Sequence, residues 1–129
     1  MAQVKIYGLE KNIEANRAVI SESIHRSVMT ALEYPPEKKF HRFIRLDPED
    51  FIHPDDRSEK YTIIEISMFK GRTESAKKTL IREIFANLSE VAAIQPQDVE
   101  ITIFETPTAN WGIRGMPGDE LALNYKIEV

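Results

Sequence analysis

The chain has 129 residues, 42% hydrophobic and 29% charged, with a formal net charge of −4 and no cysteine. That length makes one domain, residues 1–129, with an ordinary hydrophobic core the expectation, and the composition is that of a globular protein. The acidic balance and the lack of a basic, aromatic-interleaved stripe argue against nucleic acid, and the missing cysteines exclude disulfides and thiolate metal sites.

No apolar run is long enough to cross a bilayer and no secretory leader precedes the first periodic segment, so no membrane contact and a cytoplasmic location are expected. Gln3–Gly8 alternates, with Val4 and Ile6 on one face, and reads as a strand. The small residue at position 2 is the usual condition for removing an initiator methionine, so the mature chain is expected to begin at the Ala2 amine. Asn12 reads as the cap of a helix from Ile13 to about Leu32. Its apolar positions Ile20, Ile24, Val28 and Leu32 recur every four residues. Pro35-Pro36 ends the helix, because the residue before a proline is pushed out of helical geometry. Phe40–Leu46 is a second strand, and the polar, turn-rich Asp47–Lys60 is a linker.

Tyr61–Phe69 is a third strand, with Ile64, Ile66 and Met68 on one face and Ile63, Glu65 and Ser67 on the other. Gly71 permits a sharp turn, and Thr73 caps a second helix with Glu74 in its first turn. Lys70 and Arg72 therefore sit where a strand ends and a helix N-terminus begins, an arrangement suited to a carboxylate or phosphate. They also read as plain solvated loop charges. Val99–Glu105 closes the second half as a strand.

The two halves share one offset. Ile6 and Ile66, Ile20 and Leu80, Ile24 and Ile84, Val28 and Leu88, Pro36 and Pro96, and Phe43 and Ile103 are each separated by 60 residues. Two strand–helix–strand units, about 1–60 and 61–120, predict an α+β (α/β) fold: a four-stranded mixed sheet with both helices on one face. After a loop rich in proline and glycine, Leu121–Val129 alternates and is expected to be a C-terminal strand. An uncovered sheet face and a spare strand together predict a homo-oligomer.

These residues resemble the tautomerase superfamily, and within it the malonate semialdehyde decarboxylase-like branch of full-length subunits. The resemblance spans almost the whole chain and rests on Ala2, Leu32–Phe40 (LEYPPEKKF), Lys70-Gly71-Arg72 and Asn110–Gly115 (NWGIRG). It implies a homotrimer and no cofactor or metal. It also implies a pocket in which an amino-terminal proline is the catalytic group and arginines hold a substrate carboxylate. Carried over by position, the proline falls on Ala2, the arginines on Lys70 and Arg72, and the aromatic wall on Trp111, with Ile113 close by; Arg114 could reach the site or contact a neighbour's backbone. The acid that positions a water in the decarboxylase falls on Lys38.

The two departures, Ala2 and Lys38, shape the expected chemistry. An α-amine already has a pKa near 7.7–8.0, and burial beside cations lowers it further, so the Ala2 amine could act as a base on a small 2-keto acid or its enol. Arg72, supported by Lys70, would hold the carboxylate and stabilise an enolate. A lysine in place of the acid disfavours decarboxylase-like lyase chemistry and favours binding of anions. Two readings stay open: a keto–enol tautomerase-like isomerase, and a trimeric binding or structural protein that keeps the shape without the reaction. In the second, Ala2 is an ordinary terminal residue and Trp111 ordinary interface core.

Overall fold

A computed structural model describes residues 1–123 and 125–129. Four strands form one mixed sheet: β1 (Ala2–Leu9), β2 (Phe40–Leu46), β3 (Thr62–Phe69) and β4 (Val99–Thr106), in the order β2-β1-β3-β4. The strands of each unit, β1 with β2 and β3 with β4, run parallel, whereas the central β1–β3 pair is antiparallel. Each parallel pair is joined by a helix, α1 (Glu10–Leu32) or α2 (Glu74–Ala92). The helices pack against each other over the buried face of the sheet, where Val4, Ile6, Ile64, Ile66 and Met68 meet Ile20, Ile24, Leu80, Ile84 and Leu88.

The 60-residue offset becomes geometry at the centre. Lys5 is opposite Glu65 in the β1–β3 register, and the two form a 3.6 Å ion pair. Asn87 Nδ2 donates to Ser27 Oγ at 2.9 Å between the helices. Residues one offset apart can touch only where the operation relating the units brings them together, so these two pairs mark a pseudo-twofold axis. Both helices end alike as well, with Glu33 and Ala93 in the left-handed region at φ 52° and 54°. At the second of these ends the Ile94 N–H returns to the Leu88 carbonyl at 3.1 Å, a glycine-type C-cap built without glycine.

Two expectations need correction. Helix α1 begins at Glu10, with Leu9 at the N-cap position and no side-chain cap, so Asn12 lies inside the first turn. Its amide is drawn inward, where it donates to the Lys60 carbonyl and to Thr62 Oγ1, both at 3.3 Å. Thr73 does cap α2, accepting from the Ala76 N–H at 3.0 Å. The expected C-terminal strand is absent from the described residues of Leu121–Val129. A strand needs a ladder partner, and this segment instead folds back over the end of the sheet that carries Met1. Tyr125 packs edge-on against Tyr34, and the Val129 carbonyl accepts from Thr73 N at 3.0 Å and from Thr73 Oγ1 at 2.9 Å. A short hairpin, β5 (Gly112–Ile113) with β6 (Met116–Pro117), precedes it. Its turn, Arg114-Gly115, has φ of 51° and 84°, the two positive values of a type I′ hairpin.

Candidate active site at the amino terminus

Strand β1 starts at the end of the sheet where β3 runs out into α2, so the first residues of the chain meet the Lys70-Gly71-Arg72 turn. Ala2 pairs in register with Met68, and the Phe69 N–H donates to the Met1 carbonyl at 3.3 Å. Ala2 is 3% exposed. Its backbone N–H donates to the hydroxyl of Tyr34 at 2.8 Å, and the Met1 amine hydrogen-bonds to the hydroxyl of Tyr125. Gly71 turns with φ 138°, and a Cβ there would lie 2.7 Å from Ile127 Cγ2, so glycine is required on both counts.

Arg72 is the decisive side chain. It is 6% exposed, and its three guanidinium nitrogens are buried without a hydrogen-bond partner among the described residues. The guanidinium carbon lies 5.9 Å from the centre of the Tyr125 ring. Burial lowers the Arg72 pKa, opposed by the nearby Tyr125, Tyr34 and Glu105. A buried cation with five unused N–H donors is costly, and the geometry suits a carboxylate approaching side-on.

The amine responds to the same surroundings. Burial first, then the charges of Arg72 and Lys38, push the Met1 amine down from 8.0 to about 4. An amine held so low is neutral near pH 7 and keeps a free lone pair, as a general base requires. Tyr34 is held well above the ordinary phenol range, chiefly by burial and then by Tyr125, so it stays protonated.

The residues singled out from sequence divide unequally. Ala2 and Arg72 lie at this site, and half-buried Lys38 is close enough to act on the Met1 amine. Trp111 meets Phe69 edge-to-face at 5.2 Å, and its indole nitrogen is buried without a hydrogen-bond partner among the described residues. Arg114 is exposed at the hairpin tip; burial raises the Tyr125 phenol, and the charge of Arg114 opposes that rise only after the hydrogen bond from Tyr34 and the charge of Arg72. Ile113 is half-buried in β5 opposite Met116, and the Lys70 side chain is exposed while its N–H donates to the Thr106 carbonyl at 2.9 Å.

Sequence reasoning missed Tyr34, Tyr125 and Glu105. Glu105 Oε1 pairs with Lys77 Nζ at 2.7 Å, and its other oxygen is buried without a hydrogen-bond partner among the described residues. Position alone could have flagged Tyr34, a large aromatic between the end of a helix and two prolines. Nothing local marks Tyr125.

The two units differ here despite their shared offset. The residue 60 before Arg72 is Asn12, whose amide is spent on Lys60 and Thr62. Thr62 itself, one offset after Ala2, is mid-chain and has no free amine. Among the described residues, the second turn alone presents an unpaired cation beside a chain terminus.

The tautomerase enzyme family matches residues 38–114. The chain belongs to that family. It is 39% identical over 57 residues to a 2-hydroxymuconate tautomerase of Pseudomonas putida, across 44% of this chain and 90% of that protein. A 2-hydroxymuconate tautomerase of Comamonas testosteroni is 35% identical over the same shares of the two chains. An alignment shorter than half of this chain thus spans nearly a whole relative. In fold it is similar to a malonate semialdehyde decarboxylase inhibited by 3-bromopropiolate, with a TM-score of 0.81 and 24% identity over 94% of this chain and 98% of that one. A fused 4-OT solved as an asymmetric trimer follows at TM-score 0.78 and 18% identity, covering 91% and 96%.

Proposed function

We propose that this protein is a keto–enol tautomerase-like isomerase for small 2-keto acids, using the amine of Ala2 after Met1 is removed. The observation that carries the reading is the buried, unpartnered Arg72 guanidinium beside a backbone nitrogen at the chain terminus. Arg72 would bind the substrate carboxylate. The neutral amine would take the proton from the enol hydroxyl as the C–O bond becomes a carbonyl, and the resulting ammonium would return a proton to the carbon that was part of the double bond. The net change is an isomerisation that consumes nothing and needs no cofactor or metal. Lys38 would add positive potential and support anion binding, and Trp111, packed on Phe69, would form the aromatic wall beside the bound acid. Lys70, Arg114 and Ile113 would contribute only from their exposed or hairpin positions.

We also propose a homotrimer. The sheet face opposite the helices exposes Phe40 and Phe104, at 39% and 48%, beside half-buried Tyr7, Ile44 and Ile63, apolar surface that a second layer would cover. Light scattering on the purified protein tests this, and a monomer at micromolar concentration refutes it.

A second reading, a trimeric binding protein without turnover, is favoured by Ala2 in the proline's place and Lys38 in the acid's. Ketonisation of phenylenolpyruvate and of 2-hydroxymuconate-type enols, on protein shown by intact mass to start at Ala2, separates the two. Rates above buffer that vanish in Arg72→Ala support the isomerase. Rates equal to buffer, with activity gained in Ala2→Pro, leave a binder whose pocket is intact.

A further inference from the structure

A primary amine turns freely about its Cα–N bond, so a base built on Ala2 lacks the fixed direction that a ring would impose. The structure contains a group that removes that freedom. Tyr34 leaves α1 directly after left-handed Glu33, is 4% exposed, and reaches across the sequence to accept the Ala2 N–H at 2.8 Å. Its ring is braced edge-on against Tyr125, 4.8 Å between centroids at 64°. Pro35 follows immediately, so the backbone that aims the ring is itself restricted. Met1 takes a different phenol, that of Tyr125. Loss of Met1 would remove the amine from Tyr125, whose hydroxyl also shares a hydrogen bond with Tyr34, and leave the Tyr34 contact with Ala2 in place.

We propose that Tyr34 is the positioning residue of this site, accepting one N–H of the mature Ala2 amine so that its lone pair is aimed away from the helix end and toward the enol hydroxyl of a substrate whose carboxylate Arg72 holds. This rests on the isomerase reading above and adds to it the group that makes an alanine terminus serviceable. The charged and titratable groups that bear on the amine are Tyr34 after α1, Lys38 before β2, Arg72 between β3 and α2, and Tyr125 from the C-terminal segment. Of these, Tyr34 is the acceptor whose loss alters amine direction without removing a charge. An acceptor stabilises the protonated amine, so its removal must lower the amine pKa.

The experiment compares wild type with Tyr34→Phe, both verified by intact mass to begin at Ala2. Three quantities are read: the pH midpoint of amine acylation, kcat and KM for phenylenolpyruvate, and pyruvate binding followed through Trp111, the single tryptophan. The acylation midpoint is expected to move down by about half a pH unit or more. An approximately tenfold fall in kcat with little change in KM is also expected, since Arg72 still holds the carboxylate. Pyruvate affinity should be unchanged.

An unmoved midpoint with unchanged kcat overturns the proposal and reduces Tyr34 to packing. A shifted midpoint in a wild type without turnover overturns the isomerase reading but leaves Tyr34 as the amine's partner. If Tyr34→Phe fails to fold, Tyr34→Met, which keeps the bulk without the hydroxyl, is read in the same way.

Discussion

Replacing Arg72 by methionine should stabilise the unliganded protein while abolishing its affinity for carboxylates. The side chain is 6% exposed with no acceptor for any guanidinium nitrogen among the described residues. Desolvating such a charge costs several kcal/mol after relaxation, against which the Tyr125 ring at 5.9 Å returns about 1–2 kcal/mol. Methionine keeps most of the aliphatic stem and removes the charge, so a net gain of about 2 kcal/mol is expected. For a chain of this size each kcal/mol moves Tm by about 4 °C, giving a rise of about 8 °C in a thermal melt. Pyruvate at about a hundred times its Kd should stabilise wild type by about 2.7 kcal/mol and leave Arg72→Met unmoved. A variant that melts below wild type by several degrees would refute the reasoning, because it would show that the guanidinium already has partners in solution.

Further outcomes follow from the rest of the molecule. The Met1-bearing amine titrates at about 4 in the folded chain and near 8.0 when unfolded, so between those values the unfolded state binds more protons. Stability should therefore fall as pH drops from 8 to 4, relative to an amino-terminally acetylated protein, and parallel urea-melt midpoints for the two would contradict this. Ala93→Gly should stabilise by about 0.5–1 kcal/mol in urea melts, because the left-handed cap costs a residue with a Cβ more than it costs glycine; a loss would mean that the alanine methyl contributes packing. Ser27→Ala should cost about 1–3 kcal/mol by leaving the buried Asn87 amide without its acceptor, whereas Asn87→Leu should stay within about 1 kcal/mol because Ser27 still donates to the Ser23 carbonyl at 2.8 Å. Equal costs for the two in chemical denaturation would argue against that asymmetry.

Much of the architecture was legible because it is written in local periods. Strands β1 to β4 alternate with period two, both helices carry apolar residues every fourth position, and the common 60-residue offset exposes the duplicated plan. Asn12 misled for a physical reason. Asparagine is equally able to cap a helix or to satisfy buried backbone, and the linker carbonyl of Lys60 was not foreseeable from neighbours in sequence. The C-terminal segment alternates as a strand would, but alternation specifies only a two-faced extended chain, and within one chain this one found Tyr34, Gly71 and Thr73 rather than a ladder.

At the site, Arg72 stood out through its glycine turn and helix cap, which are local. Its burial was not legible, because it depends on Tyr125 and on the start of β1. The two phenols were invisible for the same reason. Tyr34 reaches Ala2 across 32 residues and Tyr125 reaches Met1 across 124, contacts that only the assembled sheet end creates.

The most direct test is a crystal structure of the protein starting at Ala2 with a 2-keto acid bound. The account predicts the carboxylate paired with the Arg72 guanidinium and the ligand's reacting carbon or carbonyl oxygen about 3–3.5 Å from the Ala2 nitrogen. A guanidinium satisfied by protein side chains, with the first residue directed away from it and no acid in the crevice, would contradict it.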